Sequence, residues 1–193
     1  MKLEKYNKLL FTILIFITFS FIGWFWELIY EFLKIGIIAN HGFLHGPWLP
    51  IYGTGGTVVY LLLNRYKKSP LIVFMGSFVF CTIIEYITAW YLETYEHHKW
   101  WSYVKMPFNI DGRVCLLYSI LFALAGIGCI YVVAPLLKKV YNKVELKKLC
   151  VFILLFLSLF SIDVIYSFKN PNLVKKYRII DIDKVGEIRI FKK

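Results

Sequence analysis

With 193 residues, of which 59% are hydrophobic, and a mean hydropathy of +0.63, the chain is too apolar for an ordinary soluble domain. Its net charge of +11 and pI near 9.4 do not indicate a nucleic-acid partner, because the basic residues sit in short clusters between apolar runs. That is the inner-leaflet charge bias of a membrane protein rather than a phosphate-binding face. The expected fold is all-α, a polytopic membrane helical bundle of about five spans. It comprises one membrane domain (1–168) and a basic C-terminal tail (169–193).

Lys2, Lys5 and Lys8 precede an apolar run that continues past signal-peptide length with no small-residue cleavage pattern. The expectation is an uncleaved first span from Leu9 to about Ile35, and no lipidation motif is visible at either end. The run from Ile35 to Asn64 then carries no Lys, Arg, Asp or Glu. Its first half cannot be a plain helix: Gly42, Gly46, Gly53, Gly55 and Gly56 raise the backbone entropy cost, and Pro47 and Pro50 remove amide donors. Irregular backbone at membrane depth survives only where protein or a wet cavity satisfies it. The segment is therefore a broken or re-entrant one that dips into or caps a protein-lined site, with Ile51–Asn64 completing the second span.

Arg65, Lys67 and Lys68 with Ser69 and Pro70 make a basic turn. Leu71–Leu92 is a third span, interrupted only by Glu85, and Glu93–Gly112 a polar, aromatic loop. Val114–Leu137 is a fourth span, Lys138–Lys148 a lysine-rich connector, and Leu149–Phe168 a fifth span weakened by Asp163. The tail from Lys175 alternates apolar and charged residues around Val185-Gly186, a short β-like hairpin pattern that is marginal in isolation and also compatible with partial disorder or with resting on the membrane. The positive-inside rule puts the three basic clusters and the N-terminus in the cytoplasm, and the glycine-proline stretch and the Glu93–Gly112 loop outside. Five spans also put the basic tail outside. An exported tail and a span count that differs by one are the two ways to accommodate that.

Glu27 and Glu85 are acids within apolar spans. Burial of a charge there costs roughly 2.5–3.5 kcal/mol even on insertion scales, so such groups face a partner or water. Helical spacing sets Gly23, Trp24, Glu27, Tyr30 and Glu31 on one face, and Cys81, Thr82, Thr88 and Ala89 on the stripe of Glu85. Arg113, after Asn109, is the cation expected to meet them. Two readings stand: a polar ligand pocket near the outer interface, or an ion-pair network that pins loops onto the bundle. His41 with His45, and His97 with His98, lack the further ligands a metal needs, so no metal or other cofactor is expected. The four cysteines show no C-x-x-C spacing and read as small buried apolar residues. Trp90, Trp100, Trp101, Tyr91, Tyr95 and Tyr103 read as an interfacial aromatic belt. Ser119, Ala123 and Gly126 form a small-residue seam, between helices of one chain or of neighbouring subunits. No nucleophile elbow, H-E-x-x-H or phosphate loop is present, so no catalytic residue is assigned and the chain does not hydrolyse ATP by itself.

Gly23-Trp24-x-Trp26-Glu27-x-x-Tyr30, Asn40-His41-Gly42-Phe43-Leu44-x-Gly46-Pro47-x-x-Pro50-Ile51-Tyr52-Gly53 and Trp100-Trp101-x-Tyr103, followed by Phe108-Asn109-x-x-Gly112-Arg113-x-Cys115-Leu116, resemble the putative ABC-transporter type IV family of small bacterial multi-span proteins. The resemblance covers about Ile22 to Ser119 and fades after about Leu137. The family carries Arg where this chain has His41, and an acid where it has Ser102. The resemblance implies a permease-like transport component in the bacterial cytoplasmic membrane, with a separate ATPase subunit as partner. Cytoplasmic connectors of about seven and eleven residues are short for an ATPase docking element. Five spans are also few for a pathway, which implies a homo-oligomer. The expected ligand is small or lipid-derived, and the residues expected to contact it are Glu27, Glu85, Arg113, Asn109, Trp24, Tyr30, Asn40, His41, Tyr52 and Trp101. The alternatives are an intramembrane enzyme acting on a lipid or prenyl-type substrate, with Glu27 or Glu85 as acid or base, and a non-catalytic accessory or regulatory protein.

Overall fold

The computed structural model describes residues 2–40, 42–97, 99–172 and 176–178. Helix α1 (Lys2–Ile35) runs the full length of the bundle and ends at Gly36, whose φ of +63° suits glycine and whose N–H bonds the Phe32 carbonyl at 2.9 Å. After the short strand β1 (Ile37–Ala39) the chain turns back as a non-helical loop, and α2 (Pro50–Leu63) begins beside the middle of α1. The Leu49 N–H donates to the Ser20 carbonyl at 3.0 Å, which marks that depth. At 14 residues α2 is about 21 Å long, too short to cross a hydrocarbon core of about 30 Å unaided. Loop and half-helix together make the return, which is the broken span expected from the glycines and prolines.

Helix α3 (Pro70–Tyr95) follows, then a loop with a small antiparallel hairpin, β2 (Asn109–Ile110) and β3 (Val114–Cys115). Helix α4 (Leu116–Gly128), a π-turn (Cys129–Val133) and α5 (Ala134–Tyr141) form one continuous apolar rod, and α6 (Leu146–Lys169) completes the bundle. The π-turn precedes Pro135, which has no N–H to give the helical ladder. Among the described residues, four helical stretches are long and apolar enough to cross a membrane: Lys8–Leu33, Pro70–Tyr95, Leu116–Tyr141 and Leu146–Lys169. Large side chains such as Leu33, Leu71, Leu154 and Ile162 point outward, as lipid-facing surfaces require.

Phe11 packs against Tyr60 and Tyr141 with ring centroids 5.4 and 5.5 Å apart, and the Tyr131 hydroxyl bonds the Lys67 carbonyl at 2.8 Å. These contacts gather the lysine-rich connectors and the start of α1 at one end, hereafter the basic end. One apolar core, around Phe11, Ile15, Phe19, Val59, Val73 and Ile130, fills that half. A second core joins α1, α6 and the loop through Leu14, Ile17, Leu44, Trp48, Ile153 and Phe156.

The small-residue seam lies between α3 and α4 of one chain. Ser119, Ala123 and Gly126 are buried, Thr82 Oγ1 donates to Ser119 Oγ at 2.8 Å, and a Cβ on Gly126 would overlap Ser77. The strand β4 (Lys176–Arg178) pairs antiparallel with β1, Ile37 opposite Arg178 and Ala39 opposite Lys176, so this part of the tail lies at the end opposite the lysines. The hairpin pattern around Val185-Gly186 falls outside the described residues.

Candidate functional site

Among its described residues the loop from Asn40 to Leu49 has few internal backbone bonds, and it is held by side chains from two helices. On α6, Asp163 accepts from the backbone N–H of His45 (3.1 Å) and Gly46 (2.9 Å) and from Trp48 Nε1 (2.8 Å). Ser167 Oγ bonds both Asp163 (3.2 Å) and His45 Nδ1 (3.0 Å). Just past α6, the Asn172 amide donates to the carbonyls of Asn40 and Gly42 at 3.1 Å and of Leu44 at 3.3 Å. On α1, Trp24 Nε1 donates to Asn40 Oδ1 at 3.2 Å, and the Asn40 amide closes the loop onto the His45 carbonyl at 2.9 Å. Backbone groups that lipid cannot satisfy thus have protein partners.

Between this loop, α1, α3, α4 and the 96–113 loop lies a cavity of about 1190 Å³. Glu27 and Glu85 both line it, as do Tyr30, Tyr52, Tyr103 and Tyr118. Tyr52 reaches Glu27 because Gly23 clears a space on α1, where a Cβ would overlap the Tyr52 ring. Its hydroxyl donates to Glu27 Oε1 at 2.5 Å. Opposite, the Tyr103 hydroxyl donates to Glu85 Oε1 at 2.9 Å, and its ring stacks on Tyr118 with centroids 4.7 Å apart. The hydroxyls of Tyr118 and Tyr30 share a 2.7 Å hydrogen bond, tying α4 to α1. Burial, and then the Glu85 carboxylate beside it, raise the pKa of Tyr103 far above an ordinary phenol, so it keeps the proton it donates to Glu85. Glu85 is 3% exposed, and its Oε2 has no hydrogen-bond partner among the described residues.

Arg113 does not complete this constellation as the sequence suggested. Its Nε and Nη2 each lie 3.0 Å from Glu93 Oε2, and its Nη1 reaches Asp111 at 3.1 Å and the Tyr86 hydroxyl at 3.0 Å. The guanidinium also lies 5.3 Å from the Tyr86 ring centroid. The hydrogen bond to Glu93, above all, raises its pKa. Glu93 ends α3 two turns beyond Glu85 and intercepts the cation that spacing alone had assigned to Glu27 and Glu85. Asn109 serves the hairpin: its Oδ1 accepts from Gly112 N at 3.0 Å and its Nδ2 donates to the Met106 carbonyl at 2.8 Å. Phe108 and Asp111 take positive φ at 52° and 53°, so this turn needs such a brace.

Of the residues expected at the site, Glu27, Tyr30, Tyr52, Glu85 and Trp101 therefore line the cavity. Trp24 and Asn40 support the loop that walls it, Asn109 and Arg113 organise the hairpin, and His41 falls outside the described residues. The aromatic belt divides. Trp90, Tyr91 and Tyr95 are exposed, whereas Trp101 and Tyr103 turn inward, with Trp101 Nε1 donating to the Arg113 carbonyl at 3.0 Å. Asp163 carried the same signal as Glu27 and Glu85, an acid in an apolar run, yet read only as a weakness in the fifth span. No sequence spacing could pair it with residues 115 or more positions away. Among the described residues no cluster of three His, Cys, Asp or Glu side chains could hold a metal.

A family model described as "Putative ABC-transporter type IV" matches residues 14–168. No curated protein and no solved structure matches the chain. The family match runs past Ser119 and Leu137 to the end of α6, so it takes in Asp163 and with it the anchor of the loop. With a match over most of its length, the chain belongs to the putative ABC-transporter type IV family, as a multi-pass membrane protein related to transport.

Proposed function

We propose that the chain is a permease-like subunit of the bacterial cytoplasmic membrane whose cavity, facing outward, binds a small or lipid-derived ligand. The carrying observation is the cavity itself: about 1190 Å³, within the bundle, with the carboxyl-bearing residues Glu27 and Glu85 on its wall. Its size suits a ligand larger than an ion, and its mixed lining of apolar, phenolic and acidic groups is that of a binding site. The lysine clusters at the opposite end support a cytoplasmic N-terminus by the positive-inside rule. A loop packed solid against Glu27 would have favoured a purely accessory protein, and the cavity beside Glu27 counts against that.

A separate ATPase would have to seat on helix ends at the basic end, because the connectors there, 64–69 and 142–145, are only a few residues long. A second copy of the chain would widen the pathway. The test is to purify the protein from native membrane and identify co-purifying small molecules by mass spectrometry. Ala125→Trp, which projects an indole into the cavity, is the paired variant. A compound retained by the parent and lost from the variant is the expected result. No retained compound, together with no flux in proteoliposomes with or without an ATPase encoded nearby, overturns the proposal.

A further inference from the structure

We propose that the ligand of this cavity is a protonated amine with an apolar body, bound with its ammonium on Glu85; the inference rests on the cavity being a ligand site. The first observation is the state of Glu85. One carboxylate oxygen accepts from Tyr103, while the other, Oε2, is buried and has no partner among the described residues, on a residue that itself lines the cavity. A buried acceptor without a donor costs about 1–3 kcal/mol, more when charged, so the site is complete only when a donor arrives.

The second observation is the charge of the wall. Glu27, Glu31, Glu85 and Glu96 line the cavity, and the one basic side chain lining it among the described residues is the exposed Lys105. Arg113, which could have neutralised an acid or received an anion, is held by Glu93 and Asp111 away from the cavity. An anionic headgroup would meet carboxylates on a wall that, among the described residues, carries no guanidinium to receive it. A cation meets the opposite conditions. The aromatic side chains of Tyr30, Tyr52, Trp101, Tyr103, Tyr118 and Phe122 on the wall suit a cation, and its apolar remainder accommodates a hydrocarbon body.

An N–H is needed as well as a charge. A primary ammonium can donate to Oε2, whereas a quaternary ammonium of the same charge cannot. The charge-assisted hydrogen bond makes about a ten- to hundredfold difference in affinity.

The test uses the full chain in nanodiscs of neutral lipid, titrated with octylammonium, octyltrimethylammonium, octyl sulfate and octanol by calorimetry, with empty nanodiscs as reference. Octylammonium should bind tightest, about tenfold or more ahead of the quaternary ion. Glu85→Gln should bring it down to the level of octanol. Octyl sulfate or octyltrimethylammonium binding as tightly, or an unchanged octylammonium affinity in Glu85→Gln, overturns the inference. If that variant does not fold, the ranking of the four probes on the unaltered protein decides. Binding without preference for the amine, or by none of the probes, removes this inference and leaves the ligand cavity to the co-purification test.

Discussion

Replacing Asp163 by alanine should release the loop that walls the cavity. The carboxylate accepts from His45 N, Gly46 N and Trp48 Nε1, and its side chain is 11% exposed. Three donors left without a partner cost about 1–3 kcal/mol each. Relief of the carboxylate's own desolvation, several kcal/mol, offsets part of that. A net loss of about 3–5 kcal/mol is the usual result of breaking such a buried charged contact. At roughly 2–4 °C per kcal/mol for a chain of this size, the melting temperature in detergent should fall by about 6–20 °C. Asp163→Asn keeps one acceptor oxygen but turns an N–H toward the remaining donors, so it should fall in between. Ser167→Ala removes single hydroxyl contacts and should cost only about 0.5–1.5 kcal/mol. Differential scanning fluorimetry on intrinsic tryptophan emission, at one scan rate, compares all three with the parent. Asp163→Ala melting with the parent, or Ser167→Ala falling as far, would refute the anchoring role of α6.

Gly53→Ala should destabilise by about 1–3 kcal/mol, because its Cβ would lie 2.8 Å from the Phe16 carbonyl oxygen, whereas Gly55→Ala, whose nearest neighbour is Cys81 Sγ at 3.6 Å, should fold as the parent does; thermal melts of the pair compare them. Tyr52→Phe should cost about 1–3 kcal/mol through the lost donor to Glu27 and be seen in the same melts. Arg113→Lys should lower stability modestly, since an ammonium cannot match the guanidinium's contacts to Glu93, Asp111 and Tyr86, yet leave octylammonium affinity within about twofold because Arg113 is not on the cavity wall. The raised pKa of Tyr103 also sets a pH dependence. Below about pH 10 both folded and unfolded chains hold its proton and its contribution is complete; above that the unfolded chain releases a proton the folded one keeps, so stability falls. Tyr103→Phe should flatten that decline in melts taken from pH 8 to 11.

The membrane class, the span order and the break in the second span were legible because each rests on local composition. Apolar runs of span length cannot be soluble surface, and Gly42 through Gly56 with two prolines cannot hold a continuous helix. Glu27 and Tyr30 were legible too, since an acid in an apolar helix must turn its own face inward and carries its i+3 neighbour with it. Local order also indicated which loops share an end, through the placement of the lysines.

Partner choice was not legible. Arg113 had several acids to choose among, and only the register of α3 against the hairpin gives it to Glu93 and Asp111, leaving Glu85 to Tyr103. Asp163 and Asn172 meet the loop across more than a hundred residues, a juxtaposition set by how α6 packs on α1. Composition fixes which groups must leave lipid, because that cost is paid residue by residue. Which group each one then meets depends on helix register and packing, and those exist only in the assembled bundle.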